Sequence, residues 1–190
     1  MSKLFTLIVV VAVAAGALVA FTAAINAQNE DGNNGDTSLG FTANLSGAQE
    51  VPTVDTIPLA EKGEVEAKFD EGFTQVEVRL QVRGNLEGTT VQGAHFHCGR
   101  PGENGPIALG LFDPGNLTFD PDSGVAEGVL TNDDFTGANC VEDDEGNEII
   151  GRPVNNIVAL AFAMDDGLIY ANVHTDANPG GEIRGQMLEE

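Results

Sequence analysis

Basic residues are scarce in this sequence. Eight Lys and Arg stand against thirty Asp and Glu, a formal net charge of −22. A field of that sign repels nucleic acid and anionic membrane surfaces, so neither is an expected partner of the folded chain. No G-x-S-x-G run marks a nucleophile elbow, which leaves a serine hydrolase without support. Acids are so abundant that two of them close in sequence carry no argument for a glycosidase. Helical amphipathic periodicity and short-period internal repeats are both lacking. Cysteine and histidine are rare, two and three residues respectively, so where each one falls is informative.

The N-terminal segment stands apart from the rest. Met1-Ser2-Lys3 is a short positive start, and Leu4 to Ile25 carries no charge. Ile25 and Ala27 suit the −3 and −1 positions of a signal peptidase site, with Ala24 as a rival end point. The apolar stretch exceeds a typical signal core of ~7–15 residues and reaches the roughly 20 needed to span a bilayer. Residues 1–27 therefore read as a signal peptide or an uncleaved N-terminal anchor helix, and in both cases the domain leaves the cytoplasm. Contact with a membrane would run only through the uncleaved segment. No cysteine lies near residue 27 to carry a lipoprotein anchor. Lys3 is the only charged residue of the leader, so cleavage leaves seven bases against thirty acids, a net of −23. Residues 28–38, QNEDGNNGDTS, hold no apolar side chain and read as a flexible linker. The folded domain is expected over 39–190, long enough to bury a core of its own.

Across that domain the hydrophobic period is two. Between Thr74 and Arg83, Val76, Val78, Leu80 and Val82 take one parity, and Gln75, Glu77, Arg79, Gln81 and Arg83 take the other. This is a half-buried antiparallel strand. Residues 64–70 behave alike, and Asp70-Glu71-Gly72 signals a hairpin between the two. Further strands are expected at 41–45, 91–97, 107–112, 125–131, 157–164, 168–174 and 182–187. The segment 157–164 is apolar on both parities and reads as a central strand covered on both sides. Asp165-Asp166-Gly167 would turn it back as a tight hairpin. About nine short strands with Gly-, Pro- and Asp-rich turns predict an all-β antiparallel sandwich or barrel-like fold.

An even cysteine count in an exported chain suggests a disulfide between Cys98 and Cys140, closing a long loop and tethering the acidic run 140–152 that follows it. Asn44 and Asn116 open N-x-S/T sequons and are candidate glycosylation sites. The acidic balance admits two readings, general solubility in a demanding exterior or calcium binding at several sites. Asp120-Pro121-Asp122-Ser123-Gly124 and Asp133-Asp134 resemble oxygen-rich calcium loops. Neither fits an EF-hand spacing, and both read as turns first.

All three histidines lie in two strand segments, at His95 and His97 in the first and His174 in the second. In an extended strand His95 and His97 share a face, with Phe96 and Cys98 on the other. In the second segment His174 shares its parity with Tyr170 and Asn172, opposite Ile169, Ala171 and Val173. Each histidine thus sits on the non-core parity. An H-x-H pair on a strand spaces its Cα atoms about 6–7 Å apart. Two such imidazoles with a third from a neighbouring strand make a three-nitrogen site suited to Zn²⁺ or Cu²⁺. Asp176 and Glu182 are the candidates for a fourth ligand. The competing reading is a polar cluster in which the rings hydrogen-bond loop backbone. Cys98 has the wrong parity to join the pair. Glu182 and Arg184 share a parity on the last strand and read as a surface ion pair, with the alternative that Glu182 is a ligand or Arg184 orients one.

Three ordered runs, LSGAQEVP (45–52), GAHFHCGRPGENGPI (93–107) and YANVHTDANPGGEIRGQM (170–187), resemble the CHRD domain, named for the extracellular regulator chordin and found in many microbial exported proteins. The resemblance covers about residues 39–188. It implies an extracellular β-sandwich-like module, and the family's two histidine motifs match His95, His97 and His174. The cysteine pair and the acidic loop around 142–148 depart from the common pattern, and the growth-factor-binding modules that accompany the domain in chordin are absent. Two functional classes follow. One is an exported binding or structural module that takes a divalent metal, a matrix component or a protein partner. The other is a metalloenzyme with superoxide dismutase-like redox activity. That enzyme type needs more than three histidines, one of them bridging two metals, so the non-enzymatic class is preferred.

Overall fold

The computed structural model describes residues 38–54, 62–83, 89–135, 140–142 and 147–190. The leader, all of the linker but Ser38, and the middle of the acidic loop lie outside the described residues. Among the described residues no helix is long and apolar enough to cross a membrane.

Period-two alternation builds the first sheet as expected. It contains β1 (Leu39–Leu45), β2 (Gly63–Phe69), β3 (Gln75–Val82), β7 (Val125–Thr131) and two short strands, β6 (Phe119–Asp120) and β10 (Leu188–Glu189). Their order is β10-β1-β2-β3-β7-β6, and every pairing is antiparallel. Val65, Ala67 and Phe69 oppose Leu80, Val78 and Val76 on the buried face. On the outer face Glu66 opposes Arg79, and Lys68 opposes Glu77. The β2–β3 hairpin is held by Asp70, whose carboxylate accepts from the Thr74 and Gln75 amides and from the Thr74 hydroxyl. Those bonds, the Gln75 amide first, hold the Asp70 carboxyl below the usual range.

The second sheet has four strands, β4 (Val91–Cys98), β5 (Ile107–Phe112), β8 (Ile169–Thr175) and β9 (Ile183–Gln186), in the order β5-β4-β8-β9. The two antiparallel sheets make an all-β sandwich. Its core includes Phe41, Leu45, Phe69 and Leu80 from one sheet, and Phe96, Leu109, Val173 and Ile183 from the other. Cys98, at the end of β4, is bonded to Cys140, with Cα atoms 5.8 Å apart and both side chains fully buried.

The segment 157–164 is not a strand. It forms α1 (Ile157–Asp165), which packs against β8 and β10. Asn156 caps its start by accepting from the Ala159 amide, a bond that satisfies one of the orphan donors of a first helical turn. At the other end Leu168 N–H donates to the Ala163 carbonyl and Gly167 N–H to the Met164 carbonyl. With Gly167 at φ +67, this is a Schellman termination. The expected Asp165–Gly167 hairpin is therefore a helix stop. Ile157, Leu160, Ala161 and Met164 are buried at helical spacing. The period is hidden in the sequence because Val158 and Phe162 occupy the exposed side, Phe162 at 58%. Apolar residues on both faces erase the amphipathic signal, and the Ala-, Leu- and Met-rich composition then favours helix.

Candidate metal centre

The outward face of the four-stranded sheet is polar yet largely covered. Ala94, Phe96 and Cys98 point into the core from β4, and Ile169, Ala171 and Val173 from β8. The alternate positions form a grid on the other face. Gly93 pairs with His174, His95 with Asn172, and His97 with Tyr170, while Asn172 and Tyr170 pair onward with Arg184 and Gln186 of β9. His95 is 6% exposed, His97 8% and Arg184 2%. The parity expected for the histidines is correct, but loops lie over that face.

The register brings the three imidazoles together. Ring centroids are 4.7 Å apart for His95 and His174, and 5.6 Å for His97 with either of the others. Each ring gives one nitrogen to backbone. His97 Nδ1 lies 2.9 Å from the Gly105 carbonyl oxygen, His174 Nδ1 2.9 Å from that of Pro179, and His95 Nε2 3.4 Å from that of Asp113. A carbonyl only accepts, so each of these nitrogens carries the proton and the other holds a lone pair. Those other nitrogens, His95 Nδ1, His97 Nε2 and His174 Nε2, are buried without a hydrogen-bond partner. One ligand atom from each ring lies within 4.8 Å of the other two.

Electrostatics keep the rings in the ligating form. Burial, with the neighbouring His174 adding to it, pushes His95 down to about 4. Burial likewise pushes His97 down to about 4 and lowers His174. Neutral imidazole is the metal-binding state. A backbone acceptor on the second ring nitrogen is the arrangement that fixes tautomer and ring orientation in metal-bound histidines. A tetrahedral Zn²⁺ with Zn–N distances of about 2.0–2.1 Å needs nitrogens about 3.4 Å apart, a modest contraction that side-chain rotation can supply.

A second tier of residues holds this geometry. The Tyr170 ring stacks on His97 at 5.1 Å and 11°, and the Arg184 guanidinium lies 3.5 Å from the centre of the Tyr170 ring. Tyr170 sits on the strand between the other two, so His97 and Arg184 approach it from opposite sides. Arg184 also donates to the Arg100 and Glu103 carbonyls and to the Asn104 side chain, at 2.7–3.1 Å. These bonds fasten the loop that carries Gly105. The Tyr170 hydroxyl accepts from the Gly105 amide, and the Gly105 carbonyl meets His97. Only glycine suits position 105, because a Cβ there would collide with the Cys98 carbonyl oxygen.

The remaining expected site residues are placed as follows. Asp176 stands near the imidazoles, but its Oδ1 accepts from the Thr90 amide at 2.8 Å and it is not in the converging set. Glu182 is 1% exposed. Its Oε2 accepts from the Thr175 hydroxyl and the Asn178 side-chain amide, which holds the turn that presents the Pro179 carbonyl. Glu182 and Arg184 are therefore not a surface ion pair. Both are buried and serve separate loops, because the outer face of this sheet is covered. Asn44 and Asn116 are exposed, and the Asn116 side-chain amide donates to Asp134. The Asp120 carboxylate is spent on its own turn, accepting from the Asp122 amide and the Ser123 hydroxyl. Asp134 caps a short 3-10 turn through Thr131.

Sequence reasoning assigned no role to Glu50, although it lies in one of the three runs. It is buried beside Asn172, whose side chain hydrogen-bonds it, and Gly181 passes so close that a Cβ would meet both. Burial, only partly offset by Arg184, pushes the Glu50 carboxyl up to about 7.

The family model of the CHRD domain matches residues 41–187, which covers the sandwich apart from the first two residues of β1 and the short β10, and includes all three histidines. No curated protein and no solved structure shows significant similarity to the chain.

Proposed function

The chain belongs to the CHRD domain family, and we propose that it is an exported binding module that holds one divalent metal ion, Zn²⁺ or Cu²⁺, through His95, His97 and His174. The observation that carries this reading is the division of labour in each imidazole. One nitrogen is committed to a backbone carbonyl, the other is buried and unpartnered, and each ring brings a ligand atom within 4.8 Å of those of the other two. A purely hydrogen-bonded cluster supplies no protein donor to three buried acceptors, and each buried acceptor left unsatisfied costs roughly 1–3 kcal/mol. A metal satisfies all three at once. The reading does not extend to superoxide dismutation, since three histidines furnish one site. The disulfide and the family's usual setting support a secreted or cell-surface location. The net charge of −22 favours a protein or matrix partner over nucleic acid.

Elemental analysis of the purified protein tests this directly. Zinc or copper near one equivalent per chain is expected, falling to background in the His95→Ala/His97→Ala double variant. Metal-free protein after micromolar loading would sink the reading and leave the hydrogen-bonded cluster in its place.

A further inference from the structure

We propose that the fourth coordination position of a metal held by His95, His97 and His174 is left to an anionic oxygen or nitrogen donor from outside the chain. The inference rests on the metal-binding reading and adds to it what the site is for, the capture of an exogenous ligand rather than the stapling of a fold.

Structural zinc sites are closed by four protein ligands, whereas sites that work on a ligand keep one position open. The converging set contains three imidazoles and no carboxylate. Three neutral ligands leave the +2 charge of the ion undiminished, so an anion is the donor that completes the site electrostatically. Two of the nearby acids are otherwise engaged. Asp176 accepts from the Thr90 amide, and Glu182 is locked between Thr175 and Asn178. Asp113 meets His95 through its backbone carbonyl at 3.4 Å, and its carboxylate acts on that ring as a nearby charge without joining the converging set.

Space for the ligand is present. The three histidines line an open cleft of about 570 Å³, with Gln92, Asp113 and Asp176 also on its wall. That volume falls within the range of about 300–1,000 Å³ usual for small-molecule pockets and far exceeds one water. The Gln92 side chain supplies a neutral amide able to donate to a bound oxygen. A small free anion and the carboxylate of a larger acidic molecule share this chemistry, and the cleft admits both.

The test uses the whole protein loaded with Co²⁺, whose visible absorption reports its coordination, titrated in turn with azide and with benzoate. A saturable shift of the absorption bands is expected with azide. A matching shift with benzoate points to the carboxylate of a larger ligand, and azide alone to small free anions. Bands unmoved by either anion overturn the inference while leaving the metal site standing. A response that appears only in Asp113→Asn or Asp176→Asn overturns it too, since a chain carboxylate then fills the position. Failure of Co²⁺ to bind at all overturns the metal reading itself and this inference with it.

Discussion

The outer faces of the two sheets are built from the same alternation and end in opposite conditions. On the six-stranded sheet, Glu77, Arg79 and Glu127 stand in solvent, and Arg79 meets Glu127 at 3.6 Å with both side chains well exposed. On the four-stranded sheet the corresponding positions are His95, His97, Tyr170, Asn172 and Arg184, and all are buried. Alternation determines only which residues point away from the core. Whether those residues meet water depends on whether loops fold over them. Where they do, polar side chains must be satisfied by loop backbone. That requirement explains why the Gly105, Asp113 and Pro179 carbonyls face imidazoles.

The contrast is broken most severely at Arg184. Arg184→Ala removes three hydrogen bonds and a cation over an aromatic ring inside the protein, and is expected to cost about 3–5 kcal/mol. Arg79→Ala on the exposed sheet is expected to cost less than about 1 kcal/mol. Denaturant midpoints of the two variants, compared with wild type, measure both. Equal losses would mean that burial of the outer face has no energetic consequence.

The disulfide tethers the end of β4, beside His97, across a separation of 42 residues. In the chain-entropy account, Cys98→Ser/Cys140→Ser is expected to lower stability by about 2–4 kcal/mol. Thermal unfolding with and without reductant checks this, and reductant should leave the double variant unaffected.

Glu50 supplies a pH test that the exposed sheet cannot reproduce. Its carboxyl is raised from 4.5 to about 7 in the folded state. Burial thus stabilises the protonated form, so its contribution is fully present below pH 4.5 and is lost as pH rises through 7. Wild type should lose on the order of 2–3 kcal/mol relative to Glu50→Gln between pH 4.5 and pH 8. Urea titrations of both proteins across that range would show a constant difference if the carboxyl titrates normally.

The finest test is Tyr170→Phe, which keeps the ring between His97 and Arg184 but removes the hydroxyl that holds the Gly105 loop. Metal affinity is expected to fall about 10–100-fold, the usual effect of losing an outer support. The apo fold should lose only about 1 kcal/mol. Competition with a chelator and thermal unfolding of the apo protein separate the two effects.

Much of the sandwich is legible in the sequence because an antiparallel strand with one buried face writes its period into the chain, as Val76, Val78, Leu80 and Val82 do. The α1 segment reads wrongly as a strand because Val158 and Phe162 are apolar and exposed, which no period of two or 3.6 distinguishes from burial on both sides. The two-residue strands β6 and β10 carry too few positions to show any alternation. In the site, the shared parity of His95 and His97 follows from strand geometry alone. The parity of His174 is equally local, but its place beside them depends on the β4–β8 register.

By itself the sequence determined the acidic surface, the strand parities, the pairing of the only two cysteines and the restriction of histidine to two segments, since these depend on composition and local geometry. The tertiary structure decided the rest. Register placed the three imidazoles together, and the loops after β4, β5 and β8 covered them and bound one nitrogen of each. Arg184 and Glu182 became internal supports rather than surface charges. The physical reason is that convergence and burial arise from contacts between residues about eighty or more positions apart, such as His95 with His174 and Arg184 with Arg100, and no local pattern encodes them.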